Sequence, residues 1–186
     1  GEQSACETSI YVLKDSARIP DDSRVGIQGV VAAIRLNADN RYSHLVLQVP
    51  SNDPAYNGVD YSGSWIYLNN ADIETIRDTP PAVGTYIQLI GSVKTHYDQR
   101  QLQKIEEMIV LADNVPTPEP VDVTASEIAL NGARAWALEG SLVRIRNVQV
   151  TNANPEPGPG DGIDGAPTNE FQVDGGLIIN DFILAG

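Results

Sequence analysis

Cysteine occurs once in this sequence, methionine once and histidine twice, and each shortage closes off a class of chemistry. With Cys6 alone, no internal disulfide can form. One cysteine and two distant histidines, His44 and His96, do not make a zinc site. There is no Gly-x-Ser-x-Gly elbow, no Walker loop and no His-Glu-x-x-His helix. Acidic pairs such as Asp21-Asp22 and Glu106-Glu107 read as solvated surface rather than acid–base dyads. The sequence points to a protein that is not an enzyme and carries no resident cofactor.

Positive charge is also scarce: 12 Lys and Arg face 25 Asp and Glu, for a net charge of −13. Residues 1–115 hold nine basic and fifteen acidic groups, and residues 116–186 hold three and ten. Neither part offers the basic stripe that phosphate binding favours, and an acidic surface suits solubility or cation binding instead. No apolar run approaches the roughly 20 residues of a membrane span. No Asn-x-Ser/Thr sequon occurs. The chain opens at Gly1, for which removal of an export signal is the economical reading. Gln3-Ser4-Ala5 ahead of Cys6 matches a bacterial lipobox only at its two small residues. Cys6 therefore reads as an unpaired thiol in a loose arm, with an intermolecular link as the sharper alternative.

What is present is a strand-former's composition: 41% hydrophobic, 20% charged, rich in valine, isoleucine, threonine, tyrosine and glycine. Residues 24–36 (RVGIQGVVAAIRL) read as a long strand able to bend at Gly29, and 43–49 (SHLVLQV) as its antiparallel neighbour. A short strand at 64–68 (SWIYL) precedes a brief helix near 71–78, capped by Asn70 and stopped by Pro80-Pro81. Strands follow at 85–95, with Gly91 at its centre, and at 101–111. The order strand, strand, strand, helix, strand, strand is that of an OB barrel. The expected fold is all-β: an OB-type five-stranded barrel with one short helix, followed by a second, incomplete OB-like β unit. The expected division is an N-terminal arm (1–23), the barrel (24–115), a Pro-rich joint (116–123) and the partial unit (124–186).

The phrases GIQGVVAAI from Gly26, PAVGTYIQLIGSV from Pro81 and YDQRQL from Tyr97 resemble bacterial extracellular OB-fold modules, over about residues 8–113. Such modules occur beside secreted nucleases and in surface proteins. The resemblance implies the barrel and an extracellular or cell-surface location, and it says little about function.

Beyond the joint the chain repeats itself. SIYVLKDSAR…VGIQGVVA is answered by SEIALNGARA…VRIRNVQV, matching Ile10 with Ile128, Val25 with Val143, Ile27 with Ile145 and Val30 with Val148. After a long loop at 152–169, further strands are expected at 170–173 and 177–183, with no second helix and no fourth or fifth strand. Three strands of such a barrel leave open edges and an uncovered apolar face: Val143, Ile145, Val148, Phe171, Val173, Leu177, Ile179 and Phe182. One expectation is that copies of the chain cover this face. Thr8, Ile10, Val12 and Leu13 would act as a donor strand, making a secreted filament or surface subunit. The first barrel covering the face within the chain is the competing reading.

The alternative function is a ligand-binding accessory module. Tyr42, Tyr61, Trp65, Tyr67, Tyr86 and Tyr97 could stack the bases of single-stranded nucleic acid, with Arg35, Arg41, Lys94 and Arg100 touching phosphates. Such binding is expected to be weak at physiological salt. Asp161 and Asp164, three apart among glycines, are candidate calcium ligands outside the EF-hand pattern.

Overall fold

The computed structural model describes residues 6–36, 42–68, 76, 81–156 and 170–180, with the backbone only of Leu36 and Tyr42. Its N-terminal part runs β1 (Cys6–Glu7), α1 (Ile10–Leu13), β2 (Arg24–Leu36), β3 (Tyr42–Gln48), β4 (Gly63–Tyr67), β5 (Tyr86–His96) and β6 (Gln99–Ala112). Strands β2, β3, β4, β6 and β5 pair in that order, and β5 returns to β2, so five strands close a ring. Only β4 and β6 pair in parallel within it. This is the OB barrel.

Closure depends on β2 serving two neighbours. Arg24–Val30 pair with β5, and Val30–Leu36 pair with β3. The change of partner falls beside Gly29, where a Cβ would lie 3.2 Å from both Ile10 Cδ1 and Leu47 Cβ. Gly91 serves a matching bend: a Cβ there would lie 2.8 Å from the Gln103 carbonyl oxygen. Opposite it β6 bulges, since Ile90 faces Glu107 whereas Ser92 faces Gln103. Bulges and close backbone approach are what let long strands coil around a small barrel. Alternation fills the interior with Ile27, Leu45, Leu47, Ile66, Ile87, Leu89 and Leu102, all fully buried. Each such side chain contributes about 1.5–3 kcal/mol. The helix expected near 71–78 lies outside the described residues apart from Ile76, which is buried in the same core.

Thr8–Leu13 does not form the donor strand that its β-branched pattern suggests. Ser9 caps a helical turn, its Oγ accepting from Val12 N at 3.3 Å. The turn sets Ile10 and Leu13, three apart, on one face, and both are fully buried in the barrel core. Releasing them would expose two large apolar side chains, so this segment is not free to be donated. Cys6, one turn earlier, is exposed in β1, which pairs in parallel with Val25-Gly26 of β2.

The C-terminal part repeats this opening. β7 (Val121–Asp122) pairs in parallel with β8 (Val143–Arg144), as β1 does with β2. Between them lies α2 (Ala125–Ile128), with Thr124 and Glu127 forming a capping box where Ser9 caps α1. β9 (Val150–Asn152), β10 (Glu170–Val173) and β11 (Ile178–Asn180) then form an antiparallel meander with β10 in the middle. Shifted by the 118 residues that match Val25 to Val143, β9 falls on residues 32–34, in the half of β2 that pairs with β3. At that shift β8 falls on Val25-Gly26 of β2, whereas β7 and α2 match β1 and α1 at a shift of 115 residues, so Ile10 is answered by Ala125 and not by Ile128.

Its entry segment is fastened to the barrel. Gly63 and Gly140 meet backbone to backbone, and a Cβ on Gly63 would overlap the Gly140 carbonyl. Tyr61 N donates to Ala137 O at 2.6 Å, and Leu142 N donates to Gln48 Oε1 at 3.1 Å. Lys14 Nζ pairs with Glu139 Oε1 at 2.8 Å and stands 5.7 Å from the centroid of the Trp136 ring. Burial pushes Lys14 down and Glu139 up, and each partner pulls the other back toward its charged form. Arg134 bonds Asp60.

Of the expected assembly face, Val173 is fully covered; Val143, Ile145, Val148, Phe171, Leu177 and Ile179 are half-buried, and Phe182 lies outside the described residues.

Candidate nucleic-acid interface

Inward residues of β3 and β4 fix which side chains face out. Leu45 and Leu47 on β3 and Val49 just beyond it belong to the core, as do Ile66 on β4 and Leu68 just beyond it. His44, Val46, Trp65 and Tyr67 therefore share the outer face. Register does the rest: Arg35 pairs with His44, His44 with Tyr67, and Val46 with Trp65. An arginine and three rings are thereby gathered across β2, β3 and β4.

The rings are in contact. His44 meets Trp65 edge-on, with centroids 5.8 Å apart at 90°, and meets Tyr67 at 5.2 Å and 53°. Edge-to-face pairs of this kind add about 0.5–1.5 kcal/mol beyond the area they bury. His44 Nδ1 lies 3.1 Å from Ser43 Oγ and 3.4 Å from Arg35 Nη1. Burial, and then the Arg35 charge, push the His44 pKa down to about 4. At neutral pH His44 is therefore an uncharged ring, and Arg35 supplies the positive charge. Trp65 is half-buried and Tyr67 is 37% exposed, so the array is braced underneath and open above. A flat aromatic ligand fits such a surface by stacking, and an anionic group beside it would meet the guanidinium.

Trp65 and Tyr67 thus share this face, each in contact with His44. Tyr97 sits at the tip of the β5–β6 hairpin, 74% exposed, its ring 4.3 Å from that of His96. Tyr97 and Asp98 both take positive φ (46° and 62°), as a two-residue hairpin turn requires. Tyr61 is elsewhere, at the contact with Ala137. The side chain of Tyr42, all of Arg41, and Asp161 with Asp164 lie outside the described residues. Tyr86 donates from its hydroxyl to Asp53 Oδ2 at 2.6 Å.

Arg100 is not a surface phosphate contact. It is 2% exposed, and its guanidinium donates to Leu13 O at 2.8 Å, to Ile19 O, to Thr95 Oγ1 and to Asp21. A buried arginine with its donors engaged ties the N-terminal segment to the barrel. Lys94 lies between Asp21 and Asp22, at 3.8 and 3.6 Å.

His44 is the residue that sequence reasoning passes over, because a histidine with no metal-ligating partner nearby in the sequence announces no role. The alternation in residues 43–49 does put it opposite Leu45 and Leu47. Only the pairing register, which is tertiary, sets it between Trp65 and Tyr67. Among the described residues no group of three His, Cys, Asp or Glu is placed to hold a metal, and no helix is long and apolar enough to cross a membrane.

No protein-family model matches the chain, and no curated protein matches it. Solved structures do. A chain described as an aspartyl-tRNA synthetase of Leishmania major Friedlin aligns with TM-score 0.43 and 13% identity, over 61% of this chain and 22% of that one. This protein therefore spans about a fifth of that relative. The hypothetical protein ygiW of E. coli aligns with TM-score 0.38 and 12% identity, over 60% and 94% of the two chains. Mitochondrial single-stranded DNA binding proteins of S. cerevisiae align with TM-score 0.33 and 16% identity, over 50% and 97%. At these identities the likeness concerns the fold alone.

The expected secreted filament subunit is corrected. Its donor segment is a helical turn sealed into the barrel core. Part of the apolar face it was to cover is closed within the chain, at Val173. The solved structures that align with the chain include mitochondrial single-stranded DNA binding proteins, a likeness of fold that lends the filament reading no support. The extracellular location, which rested on the same resemblance, is withdrawn with it.

Proposed function

We propose that this chain is a non-enzymatic OB-fold module that binds single-stranded nucleic acid on the outer face of β3 and β4, without a cofactor. The observation that carries the reading is the array of His44, Trp65 and Tyr67 with Arg35 at its edge. Bases stack on Trp65 and Tyr67 irrespective of sequence, because every base has a π-face. Arg35 meets a phosphate or stacks in turn. Binding is weak, because a net charge of −13 repels a polyanion and few cations release counterions.

Fluorescence anisotropy of a labelled oligothymidylate, titrated at about 20 mM and about 150 mM salt, tests this. The expected result is binding at low salt that weakens to a Kd above roughly 1 μM at the higher salt. Stacking is worth about 1–3 kcal/mol per base, so Trp65→Ala is expected to weaken low-salt binding by about tenfold or more. Binding that is undiminished in a Trp65→Ala, Tyr67→Ala double variant refutes the assignment.

A further inference from the structure

Asn-Gly occurs twice in the sequence, at Asn57-Gly58 and Asn131-Gly132, and the fold treats the two pairs differently. In such a pair the glycine nitrogen can attack the asparagine carboxamide, because glycine has no Cβ to hinder the approach. Both asparagines are exposed, so water reaches both. Their glycine nitrogens are not alike. Gly132 N donates to Ala129 O at 2.7 Å, and a Cβ on Gly132 would overlap the Glu127 carbonyl, so this peptide is pinned against α2. Gly58 lies in irregular chain between β3 and β4, with a φ of 94° and open space where a Cβ would stand. Among the described residues nothing accepts from its N–H, and nothing bonds the Asn57 carboxamide. One hydroxyl holds the stretch. Tyr11 Oη accepts from Asn57 N at 2.9 Å and donates to Gly58 O at 2.7 Å.

We propose that Asn57 is a site of spontaneous deamidation, and that its conversion to isoaspartate releases the Gly58 loop from Tyr11. Gly58 N gives up its proton to solvent base and bonds to Asn57 Cγ. The carboxamide C–N bond breaks, and ammonia leaves. Water then opens the cyclic imide. Opening at Cγ leaves aspartate, whereas opening at the Asn57 main-chain carbonyl carbon leaves isoaspartate, whose main chain runs through Cβ and Cγ. Overall one water is consumed and one ammonia is released, with no oxidant or cofactor. Either product adds a carboxylate. Isoaspartate also adds a carbon to the main chain between Asn57 N and Gly58 O, the two groups that Tyr11 bridges, so one hydroxyl no longer reaches both. Further along, the same loop holds Arg134 through Asp60 and Ala137 O through Tyr61 N, so the change falls beside the join to the C-terminal unit. The inference does not depend on nucleic-acid binding.

The test ages the folded chain at mildly alkaline pH, beside the same chain in denaturant, and maps deamidation by peptide mass spectrometry. In the folded chain Asn57 is expected to convert at least tenfold faster than Asn131. In denaturant, where only the local sequence counts, the two should convert at similar rates. Conversion at Asn57 should quicken as pH rises, because the attacking nitrogen must lose its proton, and the isoaspartate should accept methyl groups from an isoaspartyl methyltransferase. The isoaspartate form is expected to exchange the amide of residue 57 at least tenfold faster, while exchange in β2 stays slow. Asn57→Asp adds the charge without lengthening the chain and should keep the slow exchange. Conversion in the folded chain that is absent at Asn57, equal at the two asparagines or faster at Asn131 overturns the inference. So does an amide at residue 57 that exchanges no faster in the isoaspartate form, or one that exchanges equally fast in Asn57→Asp.

Discussion

The barrel and the C-terminal unit begin with the same device, a short strand, a capped helical turn and a second strand parallel to the first. They end in opposite conditions. In the barrel Val25, Ile27 and Val30 are sealed by β5, whereas their counterparts Val143, Ile145 and Val148 are half-open. The difference shows how little of a β-barrel's stability is local. The two segments have similar propensities and similar apolar spacing, and only the strand that arrives from elsewhere in the chain converts apolar pattern into burial.

That contrast can be broken most forcefully by matched truncations. Ile27→Ala is expected to cost about 3 kcal/mol in denaturant unfolding, in the range for fully buried isoleucines, and Ile145→Ala less than about 1 kcal/mol. Equal costs would mean that the second strand is as enclosed as the first. Next is the arginine that holds α1 against the barrel. Arg100→Leu leaves the Leu13 and Ile19 carbonyls without their buried donor and is expected to cost about 2–3 kcal/mol. An effect below about 0.5 kcal/mol would show that water replaces the guanidinium there without loss.

The join between the two regions comes next. Glu139→Ala leaves the Lys14 ammonium buried without its carboxylate, and a loss of about 2 kcal/mol is expected. Faster amide exchange at Ala137–Leu142 should accompany it. A variant with slower exchange there would contradict the clamp.

The smallest effect is a pH dependence. His44 has a folded pKa of about 4 against an ordinary 6.5. Between those values the unfolded chain takes up a proton that the folded chain does not. The stability from a neutral His44 is therefore complete above pH 6.5 and is lost as pH falls toward 4. In His44→Gln the stability curve should be flatter over that window. An NMR titration that finds His44 protonated at pH 6 would contradict the buried, neutral ring.

Much of the barrel was legible because its signals are local. Alternation marked β2, β3 and β5, and Gly29 and Gly91 marked the bends. The internal repeat was legible only in part: Val25 and Val143 do take matching places beside β1 and β7, but Ile10 opens α1 where Ala125, not Ile128, opens α2. Thr8–Leu13 misled because TSIYVL has the residues of a strand, yet Ser9 and the spacing of Ile10 and Leu13 serve a helical turn that only the barrel interior rewards. Arg100 misled for a related reason: a charged residue on a hairpin reads as surface until the carbonyls of Leu13 and Ile19 close over it. The site was half legible. Trp65 and Tyr67 announce one face by their spacing, but His44 joins them only through a cross-strand register that no stretch of sequence contains.

The β3–β4 face is tested most directly by adding oligothymidylate to uniformly ¹⁵N-labelled protein at low salt and following the amide resonances. Stacking on the ring array predicts concentration-dependent shifts at His44, Val46, Trp65 and Tyr67 and at the Trp65 indole N–H. The second indole, Trp136, and the amides of β9–β11 should stay in place. Shifts confined to the C-terminal unit, or none at any oligonucleotide concentration, would contradict it.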